Sequence, residues 1–381
     1  MSSDSPQVDS PAPRHLALFV SFSGTGGVER VTLNLLQGLS AEPNVRVDLL
    51  LVVARRGTLP VIPWPNIRVI QLPVRHSQMA IPALIRYLRS ERPEVLMVAK
   101  DRAIRTAILA HALAGVNTRL VGQLHMNMQG FLKSKSFLTR WMRLAPMRWL
   151  FPSLDKIIGV SQGVVEDTLE ITGMPRDRVI AICNPVITPE LAVMAQAEVT
   201  HPWFQEDRPI VLGAGRLTPE KDFPTLIRAF AKLREQRPAR LVILGEGPLE
   251  ASLRELTRTL GIEADVDFPG FTVNPFAYMQ KAALFVMSSA WEGSGNVLVE
   301  ALALGTPSVS TDCPFGPRET LADGRYGALV PVGDDGALAK VMAETLENPL
   351  PPETLKAGVQ AFEIGFSARR YLQVLFDEKV P

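Results

Sequence analysis

The sequence predicts an α/β protein made of two doubly wound parallel-sheet domains, side by side and facing a central cleft. Three observations predict it. Short apolar, β-branched runs alternate with amphipathic segments from end to end, as expected of strands covered on both faces by helices. The alternation breaks once, after Asn184, where Pro185, Pro189 and Pro202 punctuate a stretch without strong periodicity that reads as a linker, and a new strand starts at Pro209. The 381 residues, 46% of them hydrophobic, suffice for two cores.

In the first half the expected strands are His15 to Ser21, Val45 to Val53, Ile67 to Leu72, Val95 to Ala99, Arg119 to Leu124 and Lys156 to Val160. Each is a short run rich in Val, Ile or Leu, as buried strands are. The second half offers Ile210 to Gly213, Leu241 to Gly245, Val266 to Phe268, Leu284 to Met287, Pro307 to Ser310 and Ala328 to Val330. The expected divisions are a disordered tail over 1–14, a first domain over 15–190 and a second over 206–366. A last helix, about 367–381, carries apolar Tyr371, Leu372, Val374, Leu375 and Phe376, and is expected to pack back on the first domain.

Composition removes several function classes. The tail lacks the basic start and apolar run of a secretory signal. No stretch reaches the roughly 18 apolar residues of a bilayer-spanning helix; even the run Val47 to Ala54 contains Asp48. Cys183 and Cys313 match no disulfide framework or metal spacing, so a cytoplasmic setting is expected. Net charge is +1 but uneven: 22 basic against 14 acidic residues up to Glu190, then 18 against 25. Between Arg102 and Leu154 no residue is acidic, and that stretch should attract anions. With the basic residues confined to one domain and no recognition motif beside them, nucleic acid is not expected as a partner.

In such sheets ligands bind at the carboxyl ends of the strands, and the chemistry-bearing residues follow predicted strands. Ser21 to Arg30 includes Gly26 and Gly27 before the helical Val31 to Leu39; free amides there suit a phosphate, and a plain tight turn reads equally well. Arg216 and Lys221 lie in a loop between a strand and the helix Pro224 to Leu233, where two cations suit a diphosphate or an ordinary solvated loop. Gly245 lies in a further glycine turn, Leu244 to Pro248. The sharpest segment is Trp291 to Pro307: Glu292 in a flexible loop with Gly293 and Gly295, then Glu300 two turns into the next helix.

These segments together, GGVER, GRLTPEKDF, GEGP and EGSGNVLVEALALGTPSVSTDCPFGPRE, resemble the family 4 retaining glycosyltransferases over nearly the whole chain after residue 14. The resemblance implies a GT-B fold of two Rossmann-like domains, a nucleotide-sugar donor held by the second, an acceptor held by the first, and no required metal or other cofactor. Glu292 and Glu300 match the family's E-x7-E motif, with Glu300 on the ribose and Glu292 on the donor sugar. Arg216 and Lys221 match its diphosphate-gripping pair, and the Gly26-Gly27 backbone its phosphate contact. Gly245, Ser294, Gly295 and Asn296 join the donor set, as does Val273 in the turn Gly270 to Val273 expected to select the base. His125 matches a family histidine near the reacting sugar, while as a lone histidine at a strand end it reads equally as a satisfied structural residue. The family usually carries Phe where this chain has Ser294, which leaves the sugar open. Retaining transferases of this fold are thought to use same-face attack assisted by the leaving phosphate, so no covalent nucleophile is assigned.

Two further segments are weighed. Asp265-Val266-Asp267 spells the D-x-D of metal-dependent transferases but overlaps a strand start, and is discounted. Phe131 to Phe151 interleaves Phe131, Phe137, Trp141 and Trp149 with Lys133, Lys135, Arg140, Arg143 and Arg148. That mixture suits a lipid interface, although Pro146 should interrupt the helix and a buried helix with a basic edge is the alternative. The resulting expectation is a transferase using a UDP- or GDP-sugar and a glycan acceptor, lipid-linked and peripheral at the inner face of the cell membrane. The competing readings are a nucleotide-sugar epimerase and a non-catalytic nucleotide-sugar binder.

Overall fold

The computed structural model describes residues 13–22, 26–53, 61–132 and 135–377. Among the described residues there are thirteen strands: β1 Arg14–Phe22, β2 Val45–Val53, β3 Ile67–Gln71, β4 Val95–Ala99, β5 Arg119–Leu124, β6 Lys156–Gly159, β7 Val179–Ala181, β8 Ile210–Ala214, β9 Arg240–Leu244, β10 Val266–Gly270, β11 Leu284–Met287, β12 Ser308–Thr311 and β13 Leu329–Val330. They form a seven-stranded sheet ordered β3-β2-β1-β4-β5-β6-β7 and a six-stranded sheet ordered β10-β9-β8-β11-β12-β13. The chain is thus α/β with two doubly wound, Rossmann-like sheets. In each, strand order reverses once, between β1 and β4 and between β8 and β11. At such a reversal the loops leaving two neighbouring strands diverge, which opens a crevice at their carboxyl ends.

The chain divides into two compact units, residues 1–124, 146–157 and 368–381 in one, and residues 125–145 and 158–367 in the other. In the first, β1 pairs in parallel with β2 and β4, and Leu16 to Val20 are essentially solvent-free. The helix Ile364–Phe376 contributes Tyr371, whose hydroxyl accepts from Gln123 Nε2 at 2.6 Å. Asp377 pairs with both Arg119 and Lys156. In the second unit successive strand residues go to opposite faces: Val211, Leu241, Ile243 and Val286 enter one core, and Leu212, Val242, Leu244 and Phe285 the other. That period of two, apolar on both faces, is why these strands read as continuous hydrophobic runs.

Several expectations need correction. β7 was not foreseen; at three residues it carries too little periodicity to stand out. The helix Phe137–Leu150 runs through Pro146. The missing N–H forfeits one helical hydrogen bond, while fully buried Met147 and Phe151 hold the last turn in place. The helix of the E-x7-E segment starts only at Asn296, so Glu300 lies in its second turn rather than two turns in. The stretch after Asn184 also contains a helix, Pro189–Ala195, whose Leu191 and Ala195 enter the second sheet's core.

Candidate active site

The loops leaving β8 and β11 meet at the reversal of the second sheet. Lys221 ends the first loop and Glu292 lies in the second. The Lys221 Nζ donates to Glu292 Oε1 at 2.5 Å, with both side chains about six-sevenths buried (16% and 14% exposed). Ser289 Oγ donates to the same oxygen at 2.7 Å. Ser288 Oγ donates to the Lys221 carbonyl at 2.9 Å, and the Ala290 amide to the Glu220 carbonyl at 2.8 Å. The two loops are therefore stitched through backbone and side chain alike. Cys313 lies in the same field: burial first, and then the Glu292 charge, push its thiol up to about 12.

Gly293 touches the loop that follows β5. A Cβ there would lie 2.0 Å from the His125 carbonyl oxygen, so only glycine permits this approach. The Gly293 carbonyl accepts from Ser161 Oγ at 2.9 Å. Ser161 also caps the helix Gln162–Thr172, whose amides of Gln162 and Gly163 donate to Glu319 at 2.9 and 3.0 Å. A carboxylate at a helix N-terminus is favoured by both the free amides and the helix dipole. Asp167, in the same helix, accepts from the Met128 amide at 2.8 Å and so pins the chain just after His125. Half-buried His125 is thus held in the same unit as Glu292.

The other expected donor residues of the second unit differ in their settings. Gly295 caps the helix Asn296–Ala303, Ser294 is 7% exposed and Glu300 1%. Asn296 Oδ1 accepts from Asn184 Nδ2 at 3.0 Å. Gly245 receives the loop after β8: a Cβ on it would meet the Gly215 carbonyl at 1.9 Å. Arg216 differs from Lys221, since it is largely exposed and pairs with Glu220 at 2.8 Å. Val273, after β10, is 81% exposed, with Phe271 beside it at 62%.

Gly26 and Gly27 open the helix Gly27–Ser40 at the reversal of the first sheet. There Glu29, 5% exposed, folds back against Gly26 and pairs with Lys100 at 3.0 Å. Lys100 follows β4 with φ of 74°, an uncommon conformation for a side-chain-bearing residue. Of the basic-aromatic segment, Lys133 lies outside the described residues. Lys135, Arg140 and Trp141 are exposed and Arg143 is half-buried. The discounted Asp265 accepts from Arg208, Arg234 and Arg240, and Asp267 pairs with His201 at 2.9 Å. Ser161, Asn184, Ser289, Glu319 and the Lys100–Glu29 pair do not stand out in the sequence as site residues. Position gave a signal for two: Ser289 stands between a strand and the Glu292 loop, and Glu319 lies within the GPRE segment.

Two family models match consecutive parts of the chain, one described as Glycosyltransferase Family 4 over residues 25–189, the other as Glycosyl transferases group 1 over residues 199–361. The chain belongs to glycosyltransferase family 4. It is 33% identical over 199 residues to an N-acetylgalactosaminyltransferase of Campylobacter jejuni that acts on a diphospho-undecaprenol-linked sugar, covering 52% of this chain and 53% of that one. The chain thus spans about half the length of that relative. It is 28% identical over 305 residues to the lipopolysaccharide core biosynthesis glycosyltransferase LpsE of Rhizobium meliloti, covering 78% and 81% of the two chains. Among solved structures, the family 4 chain superposes on the apo form of the lipopolysaccharide galactosyltransferase WaaB with a TM-score of 0.72, at 19% identity and over 96% and 100% of the two chains. Anabaena HepE in complex with UDP gives 0.72 at 18% identity, over 95% and 99%. The fold is GT-B.

Proposed function

We propose that this chain transfers a sugar from a UDP- or GDP-sugar to a glycan acceptor, lipid-linked, in cell-surface polysaccharide or glycolipid synthesis. The observation that carries this reading is the partly buried Lys221–Glu292 pair at the reversal of the second sheet, next to the helix that holds Glu300. A ligand bearing both a diphosphate and a sugar matches such a pair: the phosphate oxygens compete for Lys221 and the sugar hydroxyls for Glu292. Relatives named as glycosyltransferases of lipid-linked saccharide and lipopolysaccharide synthesis support it and leave the epimerase reading without support.

In this reading residues 15–190 hold the acceptor and residues 206–366 the donor, with Glu300 on the ribose and the Gly270 to Val273 turn at the base. As the glycosidic bond breaks, negative charge leaves on the nucleoside diphosphate while the sugar carbon becomes oxocarbenium-like. Lys221, Arg216 and the amides at the start of Asn296–Ala303 stabilise the departing charge, and Glu292 and His125 orient the sugar. Transfer proceeds with retention, as the family resemblance implies, and without a required metal, because these cations supply the counter-charge and Asp265 and Asp267 are already engaged by Arg and His side chains. The exposed basic-aromatic helix Phe137–Leu150 rests on the inner face of the cell membrane, where a lipid-linked acceptor resides. Glu292→Ala tests the reading: turnover should fall by roughly a thousandfold with the thermal unfolding transition kept, and a wild-type rate would remove the site.

A further inference from the structure

We infer that Ser289 is a positioning residue for Glu292, fixing which carboxylate oxygen faces the donor. This rests on the proposed role of Glu292. Both hydrogen bonds to that carboxylate fall on Oε1, from Lys221 Nζ at 2.5 Å and from Ser289 Oγ at 2.7 Å. No other described residue bonds to Oε2, which leaves that atom as the one presented to a sugar hydroxyl. Ser289 is itself held: it is 1% exposed, and its carbonyl accepts from Thr311 Oγ1 at 2.6 Å.

The two donors to Oε1 have different fates when substrate arrives. A diphosphate carries more negative charge than a carboxylate and draws Lys221 toward itself. Ser289 is neutral and buried, and it has no phosphate to follow. It then remains the one anchor on Oε1, at the moment when the orientation of Glu292 matters to the reacting sugar. A hydrogen bond to a charged group in a partly dry site is strong enough to hold one rotamer, and a small misplacement of a contacting group is costly in turnover.

The experiment compares Ser289→Ala, Ser289→Thr, Glu292→Gln and the double variant Ser289→Ala/Glu292→Gln in the full chain. It measures turnover with the active donor and binding of the free nucleoside diphosphate of that donor, which lacks the sugar. Ser289→Ala should lower kcat roughly 10- to 100-fold and leave diphosphate affinity within about twofold. Ser289→Thr, which keeps the hydroxyl, should restore most of the rate. In the Glu292→Gln background the Ser289→Ala change should add little, since the two act as one unit. The inference is overturned by an unimpaired Ser289→Ala, by diphosphate binding lost in parallel with turnover, or by a full further loss in the double variant. Wild-type turnover in Glu292→Gln would instead overturn the reading of Glu292 on which it rests.

Discussion

Asp48 is a fully buried carboxylate and Glu292 a partly buried one, and their settings differ. Asp48 sits in the middle of β2 with no exposed surface, and every contact it makes is internal. Its Oδ2 accepts from Tyr87 at 2.6 Å, from Arg68 at 2.6 Å and from His15 Nε2 at 2.8 Å, while Arg68 Nε reaches Oδ1 at 2.8 Å. Arg46 donates to Nδ1 of His15 at 2.8 Å, so the imidazole carries its proton on Nε2, facing Asp48. Burial raises the Asp48 pKa, but the bonds from Arg68, Tyr87 and His15 outweigh it and lower the group to about 2. The folded value lies below the unfolded one, so the stability it contributes is present above pH 3.8 and is lost as pH falls toward about 2. The contribution is on the order of 2 kcal/mol. Asp48→Asn should therefore cost about that much at neutral pH and shrink the fall in stability between about pH 6 and pH 3. Urea unfolding at both pH values checks this, and parallel curves for the two proteins would assign the acid sensitivity elsewhere. In sequence Asp48 was visible only as a charge inside an apolar run, because its partners come from other elements. Glu292 was legible because its glycine-rich surroundings form a contiguous segment. Its bond to Lys221, 71 positions away, and the part played by Ser289 depend on tertiary placement that no local pattern encodes.

At the scale of elements, strands buried on both faces were the most legible feature, since a run such as Leu284–Met287 has one physical explanation in a doubly wound sheet. Irregular or short elements were the least: β7 is too brief, and the continuation of Phe137–Leu150 past Pro146 depends on packing of Met147 and Phe151 rather than on propensity. That helix exposes Phe137, Leu138, Trp141, Met142 and Trp149, each more than half accessible. Exposed aromatic and apolar residues beside Arg140 are unfavourable in water and favourable at an anionic lipid surface. Replacing Lys135, Arg140 and Arg143 with Ser should weaken sedimentation with anionic vesicles roughly a hundredfold at low salt, at about 1 kcal/mol for each basic residue. Unchanged partitioning would leave this face without a membrane role.

At the scale of the whole molecule, both sheets follow one plan. Each reverses strand order once, and at each reversal a lysine and a glutamate that follow the two diverging strands are paired: Lys100 with Glu29, in the first turn of its helix, in the first sheet and Lys221 with Glu292 in the second. The alternating pattern of the sequence carried the fold class, and the order of glycine-rich segments carried the family. The donor base, the sugar and the acceptor were not legible, because the expected base-selecting turn Gly270 to Val273 would act largely through backbone atoms that leave no residue signature. The most direct measurement is release of free nucleoside diphosphate from a panel of UDP- and GDP-sugars, with a chelator present, with and without a bacterial lipid extract. A family 4 transferase of the proposed specificity should give release that requires both one particular donor and the extract. Donor binding with no release from any member of the panel would contradict it, and would make this chain a nucleotide-sugar binding protein.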